Sequence, residues 1–148
     1  MNVMDLIGKT ALVTGIADNG GFAWSIGKTL QAAGADIILG CHPRTVGIAT
    51  KMLTREKDAE SRALPFGAPG TFSPSLVLPC DVEFDTDADI PEELKGKKGY
   101  RDADVSIQGC MQQIQAAGHG IDILIHSVAF SSEVQNPHLE VSRKAYLQ

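Results

Sequence analysis

A glycine-rich segment near the N-terminus is the part of the sequence best suited to bind a ligand. The apolar run Ala11-Leu12-Val13 leads through Thr14 into a stretch with glycines at 15, 20 and 21. A sharp turn after a strand favours small residues that tolerate positive φ, because backbone amides and the positive end of the next helix can then meet a pyrophosphate. The segment therefore predicts a dinucleotide-binding turn. Since its spacing is not G-x-G-x-x-G, an ordinary tight turn is the alternative.

An alternation of strands and helices must position this turn. Strands are predicted at 10–14, 36–40 and 76–78, with helices at 25–33 and 46–57 between them and a Pro/Gly-rich loop at 64–74. The order βαβαβ implies parallel pairing. We therefore expect an α/β fold with a doubly wound, Rossmann-type parallel sheet, whose ligand lies at the carboxyl ends of the strands.

The remaining sequence predicts an insertion, a helix and a fourth strand. The segment 83–100 is acidic at first and then basic, which is typical of a solvated surface insertion whose charge serves solubility. A helix is expected at 105–117, a strand at 121–127 and the start of another helix at 141–148. The fourth strand would be an exposed sheet edge, so we expect residues 1–148 to form one part of a single domain.

Composition narrows the classes of partner. The 148 residues are 43% hydrophobic and 21% charged, as in globular α/β proteins, and the net charge of −5 argues against nucleic acid or an anionic membrane as a partner. Cys41, Cys80 and Cys110 form no C-x-x-C pair and no zinc-like spacing, so we expect reduced structural thiols and no metal. Met1–Asp5 is too short for a targeting peptide, and we expect any such segment to have been removed.

In this order the motifs resemble those of the short-chain dehydrogenase/reductase family, and more closely its plant and apicomplexan enoyl-acyl carrier protein reductases. The resemblance spans nearly all of the chain. Glycine turns are common to many reductases, whereas the acidic insertion and the segment Ser142–Leu147 are peculiar to this branch. The matching stretches are Thr14–Asp18 with Trp24, Phe84–Thr86, Asp89–Glu93, Ile121–Ala129, Glu133-Val134 and Ser142–Leu147.

The resemblance implies an NADH site. Its pyrophosphate and flanking riboses would contact Gly15, Ala17, Gly21 and Phe22. Asp81 and Val82 would bracket the adenine, with the carboxylate or its backbone neighbour accepting from the adenine amino group; a helix N-cap is the alternative role for Asp81. Ser127, Val128 and Ala129 would pass beneath the nicotinamide, where small residues permit close approach of the backbone.

The chain departs from the family pattern at two positions. His42 stands where these relatives typically have tryptophan, so its imidazole would stack more weakly on the adenine, or it is a surface turn residue before Pro43. Phe130 replaces the asparagine of many plastid relatives and should make the acyl pocket more apolar. The substrate cleft would take Ala129, Phe130 and Val134 from this chain.

The family's catalytic Tyr-x6-Lys pattern is not present in the 148 residues. Tyr146 and Lys144 are too close together to match it. The resemblance therefore implies the N-terminal, cofactor-binding half of an NADH-dependent enoyl reductase of type II fatty acid synthesis, inactive alone and completed by a C-terminal half in the same or a separate chain. It further implies a homotetramer acting on acyl carrier protein in a plastid, chloroplast or apicoplast, more than in a bacterial-type cytoplasm. A non-catalytic nucleotide-binding module and a short-chain reductase of another substrate are the alternatives.

Overall fold

Four parallel strands form the sheet of the computed structural model, which describes residues 5–129, 133 and 135–146. The strands are β1 (Thr10–Thr14), β2 (Asp36–Cys41), β3 (Leu76–Pro79) and β4 (Ile123–His126), in the spatial order β3-β2-β1-β4 with every pair parallel. This is the strand order of the doubly wound nucleotide-binding sheets. The predicted Rossmann-type fold is confirmed.

Five helices accompany the strands in the described residues, and the four that were predicted have limits that differ from the prediction. They are α1 (Phe22–Ala32), α2 (Val46–Thr54), α3 (Glu92–Lys95), α4 (Ile107–Ala116) and α5 (Arg143–Tyr146). Helix α1 begins three residues before the predicted start, because extended Gly21 caps it and Ala23 and Trp24 already pack in the core. Helix α2 ends earlier than predicted: Arg62 Nη1 donates to the carbonyl oxygens of Met52 (3.0 Å) and Arg55 (2.7 Å), and 3-10 turns follow.

Side-chain caps explain the shorter α4 and β4. The predicted start of α4 at Val105 is wrong because the Ser106 side chain accepts from the Gly109 N–H (3.1 Å) and makes Ser106 the N-cap. Strand β4 does not include Asp122, whose carboxylate accepts from the Thr10 N–H (2.8 Å) and from Lys9 Nζ (3.2 Å). The first β4 residue paired with β1 is therefore Ile123.

The core lies on both faces of the sheet because successive strand residues point to opposite sides. In β1, Ala11 and Val13 belong to one buried cluster and Leu12 to the other. The first cluster includes Trp24 and Phe72, whose rings meet edge to face with centroids 4.9 Å apart. Strand β4 is covered less completely, since Leu124 is 61% exposed.

The cysteines are free and buried, which confirms the prediction of reduced structural thiols. Burial raises the pKa of the Cys41 thiol to about 12. Within the described residues there is no group of three or more His, Cys, Asp or Glu side chains that could hold a metal ion. No helix in that same part of the chain is both long and apolar enough to cross a membrane.

Candidate functional site

A cleft of about 990 Å³ opens at the carboxyl ends of the four strands. Its size is that of a small-molecule site. Strands β1 and β4 leave the sheet side by side here, where the connections switch from one side of the sheet to the other, which is the usual ligand position in this architecture. The lining residues come from all four strand ends and from the insertion: 14–17, Gly40, His42, Arg44, Thr45, 80–83, Leu94, Tyr100 and 126–129.

Gly15 allows the exits of β1 and β4 to touch. Its φ is +87°, a conformation that L side chains rarely adopt, and its N–H donates to the Gly40 carbonyl oxygen (3.2 Å). A Cβ at this position would overlap the carbonyl oxygen of Ser127. Only glycine adopts this φ without strain and leaves room for the Ser127 carbonyl, so both conditions require glycine at position 15.

The rest of the glycine-rich segment behaves differently. The positive φ considered for all three glycines occurs only at Gly15; Gly21 has φ −78° and serves as the N-cap of α1. The turn is made by Asp18, whose Oδ1 accepts from the Gly20 N–H (2.8 Å). Neither Gly21 nor Phe22, which is 84% exposed, is among the residues that line the cleft. Their contact with a pyrophosphate stays a prediction.

Asp81 lies at the opposite end of the cleft from β4 and is only 5% exposed. Its Oδ1 accepts from the Glu83 N–H (3.1 Å), and its Oδ2 accepts from the Tyr100 hydroxyl (2.7 Å). No helix begins at this point of the described chain, so the alternative of a helix N-cap is wrong; the carboxylate caps a turn. Burial, and then the Asp81 carboxylate, raise the pKa of Tyr100, which keeps its hydroxyl a neutral donor.

His42 is a turn residue, which is one of the two roles considered for it, and its ring also lines the cleft. Its Nδ1 accepts from the Arg44 N–H (3.1 Å), as expected of a turn residue. Its ring also lines the cleft, with Nε2 located 3.4 Å from the Tyr100 hydroxyl and 3.5 Å from Asp81 Oδ2. The His42 and Tyr100 rings are perpendicular, with centroids 6.3 Å apart. The imidazole therefore lies beside Tyr100 and Asp81 in the cleft wall, and its stacking on an adenine stays a prediction.

Tyr100 was not among the site residues predicted from sequence. The insertion's acidic side chains are exposed, as expected of a solvated segment, but its apolar residues fold inward as a small cluster. That cluster places Tyr100 and Leu94 in the cleft wall. The apolar residues that recur within this charged stretch were the sequence signal that could have predicted an inward-facing cluster. The cluster consists of Phe84, Ile90, Leu94, Tyr100 and Val105.

The β4 side of the cleft is formed by residues 126–129, at the end of the strand and directly after it. Ser127, Val128 and Ala129 line it, and their position beneath a nicotinamide stays a prediction; Thr14 Oγ1 lies 3.2 Å from His126 Nδ1 at the strand ends. Phe130 and Val134, predicted for the acyl pocket, lie outside the described residues. Eight of the ten residues predicted to bind cofactor line the cleft, the exceptions being Gly21 and Phe22.

Two segments that carry the resemblance contact each other beyond β4. The Glu133 carboxylate accepts from both the backbone N–H of Ser142 (2.7 Å) and its hydroxyl (2.9 Å), and these bonds lower the pKa of Glu133. The Ser142 hydroxyl in turn accepts from the Ala145 N–H (3.2 Å), at the start of α5. Ser142, the first residue of its motif, is therefore tied to Glu133.

Sequence comparison with known proteins identifies similar enzymes. No protein-family profile matches the chain. The chain is 39% identical over 145 residues to the chloroplastic enoyl-[acyl-carrier-protein] reductase [NADH] 1 of rice, and 39% identical to the chloroplastic enzyme of Arabidopsis thaliana; 97% of the chain is covered in each case. The chain is homologous to part of the enoyl-[acyl-carrier-protein] reductases. It spans 38% of the rice protein and 37% of the Arabidopsis protein.

A solved reductase has the same fold. The chain superposes on Plasmodium berghei enoyl-acyl-carrier-protein reductase, crystallised with triclosan, with a TM-score of 0.77 and 30% sequence identity. The match covers 95% of this chain and 48% of that one. The chain therefore has the fold of about half of that reductase.

Proposed function

We propose that residues 1–148 are the N-terminal, cofactor-binding portion of an NADH-dependent enoyl-acyl carrier protein reductase of type II fatty acid synthesis. The observation that carries the proposal is the cleft at the exits of β1 and β4, lined by eight of the ten residues expected to bind cofactor. The similarity to relatives named as NADH enzymes supports it. A short-chain reductase of another substrate is less favoured, because the similarity extends through the acidic insertion.

The cleft has features that fit a dinucleotide. Gly15 and Ala17 add little side-chain bulk to the cleft lining, and the absence of a Cβ at Gly15 lets its backbone lie directly against the Ser127 carbonyl at the exits of β1 and β4. Asp81 and Val82 would hold the adenine, and residues 127–129 would support the nicotinamide ring. When bound, NADH supplies the hydride that reduces the β-carbon of a trans-2-enoyl thioester.

Substrate would enter at the β4 side. Ala129 is exposed in the cleft wall and would contact the acyl chain together with Phe130 and Val134. We assign no catalytic residue to this chain: the proton-donating tyrosine and the ribose-binding lysine of the family would come from the C-terminal half. The proposed setting is a plastid, chloroplast or apicoplast, in which a homotetramer acts on enoyl thioesters of acyl carrier protein.

A joined chain tests the proposal. It consists of residues 1–148 fused to the part of the rice reductase that lies beyond the matched region. We expect it to bind NADH, measured by fluorescence, and to oxidise NADH in the presence of crotonyl thioester. NADH binding without turnover would instead favour a non-catalytic nucleotide-binding module, and absence of binding would overturn the proposal.

A further inference from the structure

The end of the insertion is fixed against the turn that follows β2. Gly99 has φ +94°, and a Cβ there would meet the carbonyl oxygen of Pro43 at 2.7 Å, so the two backbones are in close contact. Beside it, Tyr100 is 6% exposed and packs in the insertion cluster with Phe84 and Val105. The Tyr100 hydroxyl is thereby held at one position in the cleft wall.

The hydrogen bonds around this hydroxyl have a defined direction. Since His42 Nδ1 accepts from the Arg44 N–H, a neutral imidazole carries its proton on Nε2, which faces the Tyr100 oxygen at 3.4 Å. The Tyr100 O–H is then free to donate to Asp81 Oδ2 at 2.7 Å, because a carboxylate only accepts. Tyr100 therefore links the imidazole to the buried carboxylate and orients both.

The orientation of Asp81 leaves it able to accept one more bond. Each carboxylate oxygen offers about two acceptor sites. Oδ1 accepts from the Glu83 N–H and Oδ2 accepts from the Tyr100 hydroxyl, so the carboxylate keeps acceptor capacity, and Asp81 lines the cleft. A ligand group that complements this carboxylate is an N–H donor. The exocyclic amino group of adenine is such a donor, whereas the carbonyl of hypoxanthine is not.

We propose that Tyr100 is a positioning residue that fixes the Asp81 carboxylate, so that the cleft selects a dinucleotide whose purine has an exocyclic amino group. This inference rests on the proposed NADH site, in which the resemblance already pairs Asp81 with the adenine amino group, and adds the residue that orients that carboxylate. The raised pKa of Tyr100 agrees with a hydroxyl that remains a neutral donor.

The test compares two cofactors in the joined chain: NADH, and the reduced hypoxanthine dinucleotide in which a carbonyl oxygen replaces the amino group. We expect wild type to bind NADH at least severalfold more tightly. Tyr100→Phe keeps the ring and removes the hydroxyl, so it should weaken NADH binding by about three- to tenfold, the value of one hydrogen bond, and bring the two affinities close together. The loss should appear in KM for NADH rather than in kcat.

Thr86→Val is the matched control. It also removes a hydroxyl that donates to a carboxylate of the insertion, Asp89 Oδ2 at 2.7 Å, but Thr86 does not line the cleft. Its cofactor preference should equal that of wild type. Should Tyr100→Phe fail to fold by thermal melting, Asp81→Ala provides the second variant, and the preference must likewise disappear.

The outcomes separate the two proposals. If wild type binds neither cofactor, the proposed function fails and the inference fails with it. If wild type prefers NADH and a folded Tyr100→Phe keeps that preference in full, the assigned role of Tyr100 is overturned while the proposed function stands. Equal affinity of wild type for the two cofactors would also overturn the selectivity.

Discussion

Replacing Gly15 with alanine should disable the cleft through a single methyl group. At φ +87°, an L residue costs about 1–2 kcal/mol of folding free energy. The Cβ would also overlap the Ser127 carbonyl oxygen, and relieving that overlap adds about 1–3 kcal/mol or moves the β4 exit. Because the same backbone would support the nicotinamide, a displacement that costs about 1–3 kcal/mol corresponds to about a 5- to 150-fold loss of NADH affinity.

Gly118→Ala is the control that has the backbone strain of a positive φ without a clash of the new Cβ with another residue. Gly118 has a comparable φ of +82°, but a Cβ there would meet nothing within 4 Å. Gly118→Ala should therefore lose about 1–2 kcal/mol of folding free energy and melt at a lower temperature, while its NADH affinity stays unchanged. Fluorescence titration and thermal melting of both variants in the joined chain provide the measurement. If Gly15→Ala bound NADH as tightly as Gly118→Ala does, the reasoning about the β1 and β4 exits would be refuted.

Three further predictions concern cofactor choice, completeness and the buried thiols. NADH should support higher steady-state rates than NADPH, and faster turnover with NADPH would contradict this. Arg44→Ala should lower any NADPH rate further, because it removes the arginine of the cleft lining that could pair with a 2′-phosphate. Residues 1–148 alone should show no NADH oxidation at 340 nm with crotonyl thioester, and turnover by that chain would mean that it contains catalytic groups. Cys41 should resist iodoacetamide in the native state at pH 8, because its pKa of about 12 leaves little thiolate; mass spectrometry showing rapid modification would argue against its burial.

The strand positions could be predicted closely because their signals are local. Strand β1 has the predicted limits, and β2 and β3 each extend one residue further than predicted. Runs of apolar residues bounded by turn residues produce these strands with little dependence on distant contacts. Helix ends were less accurate. The end of α2 depends on Arg62, whose side chain donates a hydrogen bond to the carbonyl oxygen of Met52, ten residues earlier in the chain.

The candidate site could be predicted only where a family motif marked it. Asp81 and residues 127–129 line the cleft as expected. Tyr100 could not be placed there, because its segment has the charge pattern of a solvated loop and only packing of Phe84 and Ile90 turns it inward. Its partner Asp81 is 19 residues away and its partner His42 is 58 residues away, with no local pattern to join them.

The sequence by itself determined the alternation of strands and helices, the glycine-rich turn after β1 and the family to which these motifs are homologous, since hydrophobic periodicity and glycine content act over a few residues. The tertiary structure alone decided which of the three glycines in that turn must be glycine and which polar groups meet. Gly15 requires glycine because the Ser127 carbonyl, from a strand more than a hundred residues later, lies against it. Likewise, His42, Asp81 and Tyr100 form one network only because parallel strands bring their carboxyl ends to a single edge and the insertion folds over it.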